Sequence, residues 1–568
     1  MSRIIMKRSL LSLLTTASLG GVLGASVALA EDGGMSLAEA VKMTLELSPS
    51  RYIQQAGVNQ ARAGVTINEG VFNPTPSAGF NVGQNSAPLA SVPYAALANG
   101  PFSQMLFRDS LGNNCSPPSP TCLFTGYGPG PDTPFRYQNT DVATFHAEMS
   151  KLFQNGVSAS VGVLNTRIIQ RNLSTISRPN ANNAQVSLNV NIPLLKNRGT
   201  TSAAGRLNAA RKQEEAATND YKFFLTALAN GAIAAYWDYR LAVDSLAIRE
   251  ASRDRVMRIT NEVNKFVTDP DPRKEARLRE QLAQVIFTAE GARVNRNRTV
   301  NDFKQFMEAA KTNFALTLGV PPEQFNTIRM PAEEIPDGII PTTADLNKMR
   351  SAWRKSALEN RLDLEAARQR QQAADFLVKK AERDLYAQLD LSGSIGYQGL
   401  QEGNRFDDMW DAYGTNVHNP NWSTGLEFRY PIGNQVARGT LDSSKAQYRQ
   451  AELGVYEKTR QIDATIDINV GLVERYIETI GKAEQASKEL KDALAAWKRT
   501  PLTDPSAILG MLQTEAQYTE SLLAILGIRT EYAKLVADIR FKTGQLGKNG
   551  DSMEDYVINF SEVSQLPI

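Results

Sequence analysis

Four side chains of this sequence could hold a metal or carry redox chemistry: His146, His418, Cys115 and Cys122. Zinc and its neighbours draw ligands from several such groups at short, defined spacing. The two histidines stand far apart, one in an alternating strand pattern and one in a loop, and neither has a second ligand type at metal spacing. The cysteines sit together in "CSPPSPTC" with no histidine or third cysteine to support them. No Gly-x-Ser-x-Gly turn or phosphate-binding loop appears. Many of the acidic residues fall in helical stretches, where carboxylates usually face solvent. The expectation is therefore no enzyme, no metal and no cofactor. Function has to be sought in the elements themselves.

The first 30 residues read as a secretory signal peptide. Arg3, Lys7 and Arg8 form a basic start, an apolar run spans Leu10 to Ala25, and Ala28-Leu29-Ala30 is a small-x-small cleavage site. Those 30 residues carry three of the 62 basic residues and none of the 60 acidic ones, which leaves the rest of the chain near neutrality. Such a balance gives no footprint for nucleic acid. No later stretch is apolar for 18 consecutive residues, so no spanning helix is expected. An exported chain of this kind is either soluble outside the cytoplasm or membrane-embedded as a β-barrel. In an exported protein, Cys115 and Cys122 are expected to form one local disulfide that fixes a loop tip.

The chain then follows one plan twice. Residues 31–320 form the first repeat. Ser36-Leu37-Ala38-Glu39 fits a capping box and opens a helix to about Gly70, with a bend at Pro49. A short extended segment leads into 86–141, whose nine prolines and many glycines predict a long irregular loop. Val142–Phe153 and Val157–Asn165 alternate around Asn155-Gly156, a hairpin turn. In Val186–Ile192 one face is apolar and the other carries Ser187, Asn189 and Asn191. A helical stripe with steps of three and four residues follows to about Phe266, a length of about 100 Å as a straight helix. Thr268-Asp269-Pro270 breaks it, and a return helix runs from about Arg273 to Leu318.

A proline-rich linker covers 321–343, and 344–545 repeats the order: helix from about Ala344 to Tyr386, strand Leu389–Tyr397, strand Trp422–Ile432, long helix from about Gly439 to Lys498, break at Thr503-Asp504-Pro505, return helix to about Gly544. A tail, 546–568, follows. "NVNIPLLKNRGT" and "FRYPIGNQVARGT" give the same strand-to-helix joint, with Pro193 and Gly199 in one and Pro431 and Gly439 in the other. The expectation is an internal duplication.

Strands of about ten residues match a tilted bilayer crossing. Trp422, Phe428 and Tyr430 crowd one strand as an interfacial aromatic girdle would. A few strands per half cannot close a barrel, so closure requires several copies.

This doubled order, with its two joints and with "SLAEAVKMTLELSPS" at the start, resembles the TolC family of outer-membrane efflux and secretion channels over about residues 36–545. The resemblance implies a fold that is mainly α with β: a β-barrel plus a long periplasmic coiled-coil tunnel, completed as a homotrimer in the outer-membrane lipid. It implies an exit duct from periplasm to exterior, served by a periplasmic adaptor (membrane fusion protein) and an inner-membrane pump. It places adaptor contact at the helical tips, Thr268, Asp269, Pro270, Thr503, Asp504 and Pro505, although Asp and Pro also make tight turns in helical hairpins generally. Lys265-Phe266 with no following glycine departs from the family's tip pattern. Arg258 and Arg499 lie near the tips and are candidate gate residues, with a solvated helix face as the other reading. The Asn155-Gly156 hairpin has no counterpart in the second half. It either adds barrel staves or stands outside the membrane as an extracellular extension; the extension is the expectation, because the family barrel uses two strands per half, and 86–141 would then also lie outside the cell. A periplasmic adaptor or a stalk-like structural coiled coil is the competing reading. Adaptors have one hairpin where this chain has two.

Overall fold

The computed structural model describes residues 33–88, 103–108, 123–129, 137–171, 180–268, 276–336, 343–417, 420–497, 505–548 and 557–558. The expected signal peptide, Cys115, Cys122, Asp269, Pro270, His418, Arg499, Thr503 and Asp504 lie outside the described residues. The chain divides into two compact units, each drawing on both halves of the sequence.

One unit comprises Ser48–Asn230, Gly338–Thr479 and Lys534–Ile568. Its centre is a six-stranded antiparallel sheet of β1 (Thr75–Pro88), β4 (Tyr137–Leu152), β5 (Ser158–Arg171), β6 (Ala181–Pro193), β7 (Gln388–Glu402) and β8 (Asn421–Arg429), in that spatial order. The alternation that marks β6 as a strand continues into both neighbours, because directly opposed residues point to the same face. One expectation is corrected here. The stretch 86–141 is not one irregular loop: β2 (Ser103–Arg108) and β3 (Leu123–Pro129) pair within it, and β4 already starts at Tyr137. The Asn155-Gly156 hairpin belongs to the main sheet. β4 pairs with β1 and β5 pairs with β6 along most of their lengths, so the hairpin is inserted between the two.

The turn of that hairpin is fastened to the first strand-to-helix joint. The Gly199 amide donates to the Asn155 carbonyl at 2.9 Å. Gly156 adopts a left-handed φ of 92°, and a Cβ there would stand 2.0 Å from the Asn197 carbonyl oxygen. At the joint itself Pro193 ends β6 where its missing N–H costs no ladder bond. Left-handed Asn197 (φ 64°) and Gly199 (φ 79°) then turn the chain into α3 (Thr200–Ala203) and α4 (Gly205–Thr268).

The second joint uses different residues from those expected. After Pro431 the left-handed pair is Gly433 (φ 83°) and Asn434 (φ 41°), and α9 (Gln435–Trp497) has already begun when the chain reaches Gly439. The Asn434 side chain donates to the Leu385 carbonyl at 3.2 Å and pins this turn. Gly433, not Gly439, therefore does in the second joint what Gly199 does in the first.

Two helix pairs precede the sheet strands. Ser48 separates α1 (Leu37–Leu47) from α2 (Pro49–Gly70), with proline in the first-turn position that tolerates it. The stretch expected as one helix over 344–386 is α6 (Thr343–Asn360) and α7 (Leu362–Asp384), broken at Arg361. Arg361 grips Asp363 through two hydrogen bonds of 3.0 and 2.9 Å, and Lys458 of α9 donates to the same carboxylate at 3.1 Å. A short α8 (Asp408–Asp411) lies between β7 and β8, and β9 (Gly547–Lys548) pairs with β10 (Val557–Ile558) in the tail.

The other unit comprises Met1–Leu47, Gly231–Asp337 and Ile480–Ala533. It holds α1, parts of α4, α9 and α10 (Pro505–Lys542), and all of α5 (Ala276–Leu318). Val256, Val263, Val285, Ala289, Ile508 and Leu512 form one apolar cluster within it. A second feature ties down the start of the chain. Met35 bridges to Pro331, and buried Tyr236 donates to the Met35 carbonyl at 3.0 Å while accepting the Glu333 amide at 3.1 Å. Burial pushes the Tyr236 hydroxyl above its ordinary pKa, and it raises that of Tyr239, with help from the Glu308 charge, to about 12. Tyr236 therefore stays protonated in these contacts at physiological pH, and Tyr239 stays protonated as well.

Candidate channel surface

The register of the sheet sorts its side chains into two unlike faces. One line across it runs Pro76, Met149, Val161, Leu188, Ile395 and Trp422, one residue from each strand in spatial order. The last five are between 44% and 73% exposed. Phe80, Val82, Val186, Tyr397, Leu426 and Phe428 share this face and are exposed as well. Isolated exposed apolar residues are ordinary, whereas a continuous patch of this size marks a surface that meets something apolar.

The opposite face is polar. It carries Ser150, Ser160, Asn189, Ser394 and Ser423, again one line across neighbouring strands. Ser394 and Ser423 hydroxyls bond at 2.7 Å, and Asn189 donates to Ser160 at 3.4 Å. Glu148, Asp390 and the Glu427–Arg429 pair lie on this face too, around a depression of about 880 Å³. His146 also points to this side, over Gly79, where a Cβ would strike its ring. No group of three or more metal-ligating side chains gathers among the described residues.

The aromatic residues singled out in the sequence divide between two ends. Trp422 and Phe428 are on the apolar face, but they lie six residues apart on β8, about 20 Å along a strand. Tyr430 continues the same alternation just beyond the strand. Near the ends of β4–β7 remote from the joints, the segment around α8 covers the apolar face. Trp410 meets Phe145 edge-on at 5.7 Å, and Arg167 donates to the Arg405 and Asn404 carbonyls at 3.0 and 2.6 Å. Asn165 donates to the Met409 carbonyl in the same place.

The helical unit holds a charged cluster that the sequence reading missed. Glu515 is wholly buried. Its carboxylate accepts Ser252 at 2.8 Å, Thr519 at 2.8 Å, Arg255 at 3.0 Å and Arg296 at 3.2 Å, joining α4, α5 and α10. The guanidinium of Arg255 also lies 5.5 Å from the Tyr518 ring centre. A signal existed: Ile508, Met511, Leu512, Glu515 and Thr519 follow one helical stripe, so a carboxylate stands on an otherwise apolar face. Arg258, one turn along from Arg255, is exposed and makes no ion pair among the described residues. Of the expected tip residues, Thr268 is the last residue of α4 and Pro505 is the first of α10.

Residues 353–497 match the family model for outer membrane efflux proteins. By sequence alone the chain matches no curated protein. Its fold is similar to that of the outer membrane protein VceC from Vibrio cholerae, with 15% identity and a TM-score of 0.56 over 89% of this chain and 96% of that one. It is similar to the CmeC outer membrane channel of Campylobacter jejuni at 13% identity, TM-score 0.55, over 94% and 90%. The outer-membrane channel OprN matches at 15% identity, TM-score 0.54, over 90% of each chain. These likenesses establish the architecture, a TolC-like one.

Proposed function

We propose that this TolC-like outer-membrane protein is the exit duct of a tripartite efflux pump or type I secretion system, a passive conduit from periplasm to exterior. One observation carries the reading: the apolar line Leu188, Ile395 and Trp422 on one sheet face, backed by Asn189, Ser394 and Ser423 on the other. That pairing suits a barrel stave with lipid outside and water inside.

Closure follows from the edges. β1 and β8 are the two edges of this antiparallel sheet and run in opposite directions. β8 of one copy can therefore pair antiparallel with β1 of the next, and cyclic repetition removes both edges. A homotrimer is the closed form proposed here, with the repeats 31–320 and 344–545 as its duplicated building blocks. The helical tips, Thr268-Asp269-Pro270 and Thr503-Asp504-Pro505, would meet a periplasmic adaptor tied to an inner-membrane pump, which supplies the energy. Arg258 and Arg499 remain the proposed gate positions, and a Cys115–Cys122 disulfide the proposed loop fastener. An adaptor or stalk has no need of a broad apolar sheet face open to its surroundings.

The test is the mass of the protein extracted from purified outer membranes in mild detergent. A trimer in that fraction supports the duct. A monomer released from the periplasm, or a complex found only with the inner membrane, overturns it.

A further inference from the structure

We infer that the β4–β5 hairpin is membrane-embedded, with its apolar face on lipid acyl chains, so that each copy supplies six staves to the barrel. This rests on the outer-membrane reading above and goes beyond it. That reading is carried by the faces of β6, β7 and β8 and does not say what the apolar face of β4 and β5 meets.

Three observations carry the inference. The first is pairing. β4 is bonded to β1 over fourteen positions and β5 to β6 over eleven, so the hairpin is a full-length part of the sheet and not a flap on its rim. The second is direction. A hairpin projecting outside the cell would turn at the end of the sheet away from the joints. This one turns at the joint, where Gly199 bonds the Asn155 carbonyl at 2.9 Å and Gly156 packs on Asn197. The third is the continuity of the two faces. Met149 and Val161 stand in the same line as Leu188 and Ile395 and are as exposed, while Ser150 and Ser160 extend the polar face beside Asn189. A hairpin surrounded by water would have no reason to keep the apolar line of its neighbours in register. Lipid is the occupant that fits, because the line runs without a break into the face already assigned to it.

For three copies this gives eighteen strands, six from each. Barrels of about 16–18 strands leave a water-filled lumen. The hairpin thus widens the duct and adds Ser150, Ser160, Glu148 and His146 to its lining.

Bimane attached at Val161→Cys or Met149→Cys, in a Cys115→Ser, Cys122→Ser background, reports lipid contact through quenching by brominated acyl chains. Leu188→Cys is the reference, and the assembled mass of each variant is checked first. Quenching at 161 and 149 equal to that at 188 is expected. Quenching at 188 but not at 161 and 149 overturns the inference and leaves the channel reading standing. Loss of quenching at all three positions overturns both.

Discussion

The amide of Gly199 donates to the carbonyl of Asn155 across 2.9 Å, binding the turn of one hairpin to the joint where another strand becomes a helix. Beside it Gly156 has a left-handed backbone and no room for a side chain against Asn197. Gly156→Val should lower stability by about 3 kcal/mol, combining left-handed strain with a forced displacement. Urea unfolding in detergent measures it. An unchanged midpoint would mean that the turn does not rest on the joint.

The two faces of β6 should respond oppositely to charge. Leu188→Arg puts a cation on the proposed lipid face and should cost about 2–4 kcal/mol near the bilayer midplane. Asn189→Arg, one residue on and facing the proposed lumen, should change stability little. The fraction of each variant recovered as assembled protein in the outer membrane, with its unfolding midpoint, compares them.

Glu515 is held by two arginines and two hydroxyls in a buried site. Glu515→Ala leaves Arg255 and Arg296 without their shared carboxylate and should cost about 3–5 kcal/mol. Replacing Arg255 in the same background should cost much less than it does alone. A double-mutant cycle on unfolding midpoints reads the coupling.

The second joint predicts a contrast between two glycines, Gly433 and Gly439, each three residues from Val436. Gly433→Ala must hold a φ of 83° and should lose about 1–2 kcal/mol. Gly439→Ala lies within α9 with open space around its Cβ position and should gain up to about 1 kcal/mol. Thermal unfolding of the two variants distinguishes them.

Burial opposes ionisation of Asp363, but Arg361 and then Lys458 outweigh it and hold the carboxyl below its ordinary value of 3.8. A depressed folded-state pKa stabilises the fold fully above the unfolded value, and the stabilisation is lost as pH falls from 3.8 through the folded value. Unfolding midpoints should therefore drop below about pH 4. Asp363→Asn should be less stable at neutral pH and show a shallower acid decline.

Much of this architecture was legible because it rests on local pattern. Val186–Ile192 alternates, so β6 could be read directly, and Pro193 and Pro431 mark where strands stop. The helical stripes are long enough to outweigh single exceptions. What sequence did not disclose depends on neighbours distant in the chain. Alternation identifies β4 and β5 as strands but does not say which edges they meet, and the bond from Asn155 to Gly199 crosses 44 residues. The repeated Arg-Gly-Thr drew the second joint to Gly439, whereas the backbone turns at Gly433-Asn434, two residues after the proline. Glu515 was passed over because helical carboxylates usually face water. Only its place on the stripe with Ile508 and Leu512 marks it as buried.

The most direct test of the central claim is a nitroxide scan along β6 from Gln185 to Ile192 in lipid, reading collisions with oxygen and with a water-soluble nickel chelate. The account predicts alternation with a period of two. Positions 186, 188, 190 and 192 should favour oxygen, and 185, 187, 189 and 191 should favour nickel. Equal nickel access at both sets would contradict it, because the sheet would then stand in water on both faces and could not be the wall of an outer-membrane channel.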